Sequence, residues 1–134
     1  MKIYSFEKLE CWQHARKLAV WVYTETKTFP SEEKFGIISQ MRRAAISIAS
    51  NIAEGTSRKT SKDQSNFSTI AYSSTIELLN DFIISNDLGF ITNEKYVEGR
   101  DLIEKTNTFN RWVEKISAEN KVSVFPKLSK LLNP

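Results

Sequence analysis

Apolar residues recur at steps of three and four over four separate stretches of the chain, the spacing that lines one face of an α-helix. In the first stretch Leu9, Trp12, Ala15, Ala19, Val22 and Thr26 fall in line and predict a helix over residues 6–28. Phe29-Pro30 stops it, because proline disfavours a helical residue before it. Ser31 then stands where an N-cap belongs, with Glu32 and Glu33 against the positive end of a second helix. There Ile38, Met41, Ala45, Ile48 and Ile52 form a heptad seam, and Phe35, Ile46, Ala49 and Ala53 add a second apolar line beside it. Gly55 occupies the place of a left-handed cap, so this helix is expected to end at Glu54 or just beyond.

A polar joint over residues 56–60 leads to Ser61 and Gln64, which have the spacing of a capping box. The third helix starts there, with Phe67, Ile70, Ala71, Leu78, Phe82 and Ile83 as its core face and Tyr72, Ile76 and Leu79 round the side. Gly89 closes it. Thr92 or Asn93 opens the fourth, whose inward set is Tyr96, Leu102, Ile103, Phe109, Trp112, Val113 and Ile116. Long helices with such short joints fold back on one another, so residues 1–119 are expected to form an all-α, antiparallel up-down-up-down four-helix bundle. Residues 120–134 lose the period, contain Pro126 and end in Pro134, and read as a tail that is flexible or packed on a neighbour.

Composition narrows the picture. A chain of 134 residues suits one domain, and four glycines with three prolines are too few turn residues for an all-β fold. The lone Cys11 cannot form an intrachain disulfide or a multi-thiolate zinc site, and the lone His14 cannot supply paired imidazole ligands. No carboxylate lies three residues before His14, which excludes a ferritin-like di-iron centre. No metal, cofactor or enzymatic activity is therefore expected. No apolar run nears the roughly 18 residues of a membrane span, and Glu7 and Glu10 interrupt any leader-like start, so the expected location is the cytoplasm.

The net charge of +3 and a pI near 9.0 permit an anionic partner without requiring one. Residues 1–60 carry ten bases against six acids, whereas residues 61–92 carry one base and four acids. Within the basic half, Arg42-Arg43 lie beside the heptad seam. Glu77, in line with Phe67, Ile70 and Ser74, reads as partly buried and in need of a cation. Arg42 or Arg43 either pairs with Glu77 and orients the bundle, or reaches a phosphate. Arg58, Lys59 and Lys62, among hydroxyls at the joint, suit phosphate as well; the plainer alternative is a solvated loop. Lys121, Lys127 and Lys130 in the tail could add to such a footprint. The hydroxyls at Ser65, Ser68, Thr69, Ser73, Ser74 and Thr75 read as close helix packing bonded back to the preceding turn. Trp12, Trp21 and Trp112 read as core or interface. A second apolar stripe on helices two and three asks for self-association or a protein partner.

Taken together, Phe29-Pro30 with Glu33, Gly36 and Gln40, Arg42 through Ile48, Asn51-Ile52-Ala53-Glu54-Gly55, and Ile70-Ala71 with Ser74 and Glu77-Leu78 resemble a bacterial four-helix bundle family. That family includes proteins encoded in intervening sequences of large-subunit ribosomal RNA genes and is similar to the accessory variability determinant of diversity-generating retroelements. The resemblance implies a homo-oligomer, a ring-shaped pentamer above all. For the retroelement relatives it also implies a basic surface that binds RNA or DNA and contacts a reverse transcriptase. Ser73 stands where the family has glycine. The resulting expectation is a non-enzymatic oligomer that binds RNA or DNA weakly through Arg42, Arg43, Arg58, Lys59 and Lys62. The alternative is a homo-oligomeric scaffold that docks a protein through an apolar or acidic face such as Glu77, Asp81 and Asp87.

Overall fold

A computed structural model describes residues 1–106. Four α-helices, α1 (Glu10–Glu25), α2 (Ile37–Ser57), α3 (Ser61–Asp87) and α4 (Asn93–Thr106), account for most of these residues, and no strand occurs among them. The predicted tail and the outer positions Phe109, Trp112, Val113 and Ile116 of the fourth helix lie outside the described residues.

The first helix is shorter than its apolar line. Glu7 folds back so that its Oε2 accepts from the Tyr4 amide at 2.7 Å, which closes a separate 3-10 turn, and Leu9 is extended before α1 begins. At the far end the Thr26 hydroxyl donates to the Val22 carbonyl at 2.7 Å, and the chain tightens into a 3-10 turn at Thr26–Thr28. Hydroxyls that bond back to the preceding turn compete with regular helix, and here they win at its end.

Ser31 does not cap α2. It opens another 3-10 turn, Ser31–Glu33, and α2 starts at Ile37, whose amide donates to Glu33 Oε2 at 3.4 Å. Nor does Gly55 end the helix: it is buried inside α2, which continues to Ser57. Thr56 and Ser57 there donate to the carbonyls of Ala53 and Glu54 at 2.8 and 2.7 Å. The capping residue of α3 is Thr60 rather than Ser61, since Thr60 Oγ1 accepts from the Asp63 amide at 3.2 Å. Gln64 points elsewhere and donates to the Arg58 carbonyl at 3.0 Å.

Gly89 does close α3 as the sequence predicts. Its φ of +75° allows the Phe90 amide to reach the Ser85 carbonyl at 2.9 Å and its own amide the Asn86 carbonyl at 3.0 Å, the paired bonds of a Schellman cap. Thr92 Oγ1 then accepts from the Lys95 amide at 3.3 Å at the start of α4.

Each helix packs on its neighbours in the chain, and α4 returns to α1. The heptad seam of α2, from Ile38 to Ile52, is buried at every position and meets Leu18 and Val22 of α1 and Leu78 and Phe82 of α3 in one core. Stacked rings of Trp21, Phe82 and Tyr96, with centroids 5.2 and 6.1 Å apart, join α1, α3 and α4. Phe29 and Phe90 meet at 5.6 Å and bring the two outer joints together.

The face that α3 buries is only partly the predicted one, with Ala71, Leu78 and Phe82 inside as expected. Ala71, Ser74, Thr75, Leu78, Phe82 and Ser85 turn inward, whereas Ile70 and Ile83 are exposed. Small side chains let α3 approach α2 closely, and burying that face leaves the bulkier isoleucines outside. Phe35, expected in the second line of α2, precedes the helix and stands in solvent. Ile46 and Ile76 are also exposed, while Ala49, Tyr72 and Leu79 pack against the core, so the second apolar stripe is only partly uncovered among the described residues.

Candidate nucleic-acid interface

The joint between α2 and α3 is built by the end of one helix and the cap of the next. Arg58 leaves α2 in extended conformation (φ −79°, ψ 146°), its amide bonded to the Gly55 carbonyl at 3.3 Å. Its guanidinium lies 4.6 Å from the Phe67 ring centroid, a contact that holds the side chain against α3 without neutralising it. Lys59 and Lys62 are exposed. Among the described residues none of the three forms an ion pair with a carboxylate. With Asp63 counted, residues 58–63 keep a charge of +2 facing water.

Arg42 and Arg43 do not join this cluster. Fifteen residues separate Arg43 from Arg58, which is about 22 Å along the axis of α2. Arg42 reaches back to the end of α1, where its Nε donates to Thr26 Oγ1 at 3.0 Å and a terminal nitrogen to the Tyr23 carbonyl at 3.4 Å. Its guanidinium also stacks 4.7 Å from the Tyr23 ring centroid. A cation at the negative end of a helix is favourably placed, so Arg42 serves the α1–α2 junction. Arg43 faces Glu77 across α2 and α3 at 3.8 Å. Glu77 is exposed, not partly buried as its sequence line suggested, and the pair is loose and wet.

The buried carboxylate of α3 is Asp81, one turn further on. It is 5% exposed; Oδ1 accepts from Asn80 at 3.3 Å, and Oδ2 has no partner. Burial pushes its pKa up, with Asn80 and Arg43 opposing and Glu77 adding to the shift. Its place on the Glu77 line hinted at this, but its depth depends on how α3 is rotated. With Asp81 inside, the acidic face of the scaffold reading is reduced to Glu77 and Asp87.

Beside it Ser47 and Ser74 pair at 2.7 Å across α2 and α3, and Asn51 donates to the Ser47 carbonyl and hydroxyl at 2.8 and 3.1 Å. Ser68, Thr69 and Thr75 bond back to their own helix, as the sequence predicts. Cys11 is buried, which raises its thiol pKa, and His14 lies 3.4 Å from Glu10. No group of three or more potential metal ligands occurs among the described residues.

One basic feature escaped the sequence reading. Arg16 and Lys17 flank a groove on the outer side of α1 completed by Gln13, Val20, Trp21 and Thr24. The spacing 13, 16, 17, 20, 21, 24 is a helical face and was visible, but only the structure shows that no other described helix lines it. No helix among the described residues is long and apolar enough to cross a membrane.

Residues 7–110 match the 23S rRNA-intervening sequence protein family. The chain belongs to this family. Among curated proteins none matches it. The match spans α1 to α4 and includes Arg42, Arg43, Arg58, Lys59 and Lys62.

Proposed function

We propose that this family member is a non-enzymatic, self-associating bundle of up-down-up-down helices that binds RNA or DNA weakly, with a surface built around Arg58, Lys59 and Lys62. The observation that carries the reading is the cluster itself: three exposed cations within five residues, none occupied by a carboxylate among the described residues. Arg43 assists from its loose pair with Glu77, and Arg42 belongs to the fold rather than the surface. The family's name ties its members to 23S rRNA, which favours RNA as the polyanion.

Three cations on one chain neutralise few phosphates, so affinity depends on repetition. Self-association, ring-shaped in the arrangement favoured here, repeats the cluster and raises avidity without new contacts. The exposed isoleucines of α2 and α3 supply apolar surface for such an assembly. Replacing Arg58, Lys59 and Lys62 together by alanine tests the assignment. Affinity for a labelled RNA should drop at least about ten-fold at low salt while the assembly mass holds. Unchanged affinity would remove the cluster from the interface.

A further inference from the structure

Among the described residues two outward faces of the bundle are unpartnered, and they are complementary. On α3, Ile70, Ile76, Ile83 and Ile84 are each about 40 to 50% exposed. They follow heptad steps, with Ile70, Glu77 and Ile84 on one line and Ile76 and Ile83 on the next. No lysine or arginine occurs between Lys62 and Lys95, so α3 itself brings Glu77 and Asp87 to this face, with Arg43 of α2 beside Glu77. Glu77 remains 46% exposed despite Arg43 at 3.8 Å, free to take a second cation. The α3 face is therefore apolar and anionic.

The α1 groove is apolar and cationic. Val20, 63% exposed, and the edge of Trp21 form its floor, and Arg16 and Lys17 stand beside them without an ion pair among the described residues. The carboxylate of Glu25 on the same helix is taken by Lys95 at 3.3 Å. A phosphate backbone would use Arg16 and Lys17 but leave Val20 uncovered, and it would be repelled by α3. A second copy of the chain satisfies both faces at once.

The geometry also fixes the mode of contact. α1 packs chiefly on α2 and α4, and so does α3, so the two helices meet mainly through Trp21 and Phe82 in the core. Among the described residues the α1 groove is lined by α1 alone, and α3 does not reach it. We infer that the isoleucine and acid face of α3 in one copy docks on the Arg16, Lys17 and Val20 groove of α1 in the next, a head-to-tail contact. This assignment rests on the self-association proposed above and names its surfaces. Each copy uses one face of each kind, and successive copies close into a ring or extend as a chain.

The test blocks one face at a time. Ile76→Lys with Ile84→Lys places cations on the α3 face, and Lys17→Glu with Val20→Glu places acids on the α1 groove. By light scattering the unmodified chain should be larger than its 15.4 kDa monomer, and each double variant alone should be monomeric with an unchanged melting curve. An equimolar mixture should form a dimer and nothing larger, because only one intact face of each kind remains. The milder pair Ile76→Ala and Ile84→Ala should weaken assembly at least ten-fold if the lysine variant fails to fold. Dimers of the α1-blocked variant alone would show an α3-to-α3 contact and overturn the inference. So would a mixture that stays monomeric, or an α1-blocked variant that keeps full assembly and loses RNA binding, which would make the groove a nucleic-acid surface. A monomeric unmodified chain would defeat self-association itself.

Discussion

At the scale of single residues, two arginines that are adjacent in sequence have different work. Arg42 satisfies the end of α1 through Thr26 and Tyr23, while Arg43 makes only an exposed contact with Glu77. Arg42→Ala should cost about 2 kcal/mol, since it removes charge-assisted hydrogen bonds and a ring contact together. Arg43→Ala should cost under about 1 kcal/mol, the range of exposed ion pairs. Chemical denaturation of the two variants checks the difference. The opposite ranking would mean that Arg42 faces a ligand and not the helix end.

Asp81 gives a prediction in pH. Its folded-state pKa is raised, so the protonated form is favoured in the fold. The stability it contributes is fully present below its ordinary value of about 3.9 and is lost as pH rises through the higher folded value. Above that, a buried charge with an unpartnered Oδ2 weighs against the fold, with Asn80, Arg43 and Glu77 as the groups that bear on it. Asp81→Asn should therefore flatten the fall of melting temperature from acid to neutral pH. Equal slopes for the two proteins would show that Asp81 is not the titrating group.

At the scale of elements, α4 is held close by an absence. A Cβ on Gly99 would run into the Phe82 ring and lie 2.7 Å from Trp21 Cη2. Gly99→Ala gains up to about 1 kcal/mol of helix propensity but forces the ring stack apart, which costs about 1 to 3 kcal/mol. The melting temperature should fall; a rise would mean that the stack yields freely.

The helices themselves were legible because burial follows the period: every seam residue of α2 from Ile38 to Ile52 is inside. Their ends were less so. Thr60 and Ser61 offer the same hydroxyl one residue apart, and only the path of the chain selects Thr60. In α3 apolar residues lie all round, so the period cannot say which face turns in; the close approach of small residues to α2 decides it. Of the candidate site, Arg58, Lys59 and Lys62 were readable because they lie within five residues of one another. The engagement of Arg42 was not, because its partner Thr26 lies sixteen residues away in a turn whose geometry the pattern does not specify.

At the scale of the whole molecule, charge and apolar surface are divided between different faces. Cations gather at the α2–α3 joint and, as Arg16 and Lys17, beside the α1 groove, while α3 carries acids and isoleucines. A molecule so divided can assemble through some faces and leave the joint open to a polyanion. The direct test is the affinity of the protein for a labelled single-stranded RNA, followed by fluorescence anisotropy from low to physiological salt. Three phosphate contacts at the joint predict a slope of about −2 in the logarithm of affinity against the logarithm of salt concentration, steeper if neighbouring copies engage together. A flat dependence, or no binding at the lowest salt, would contradict the account.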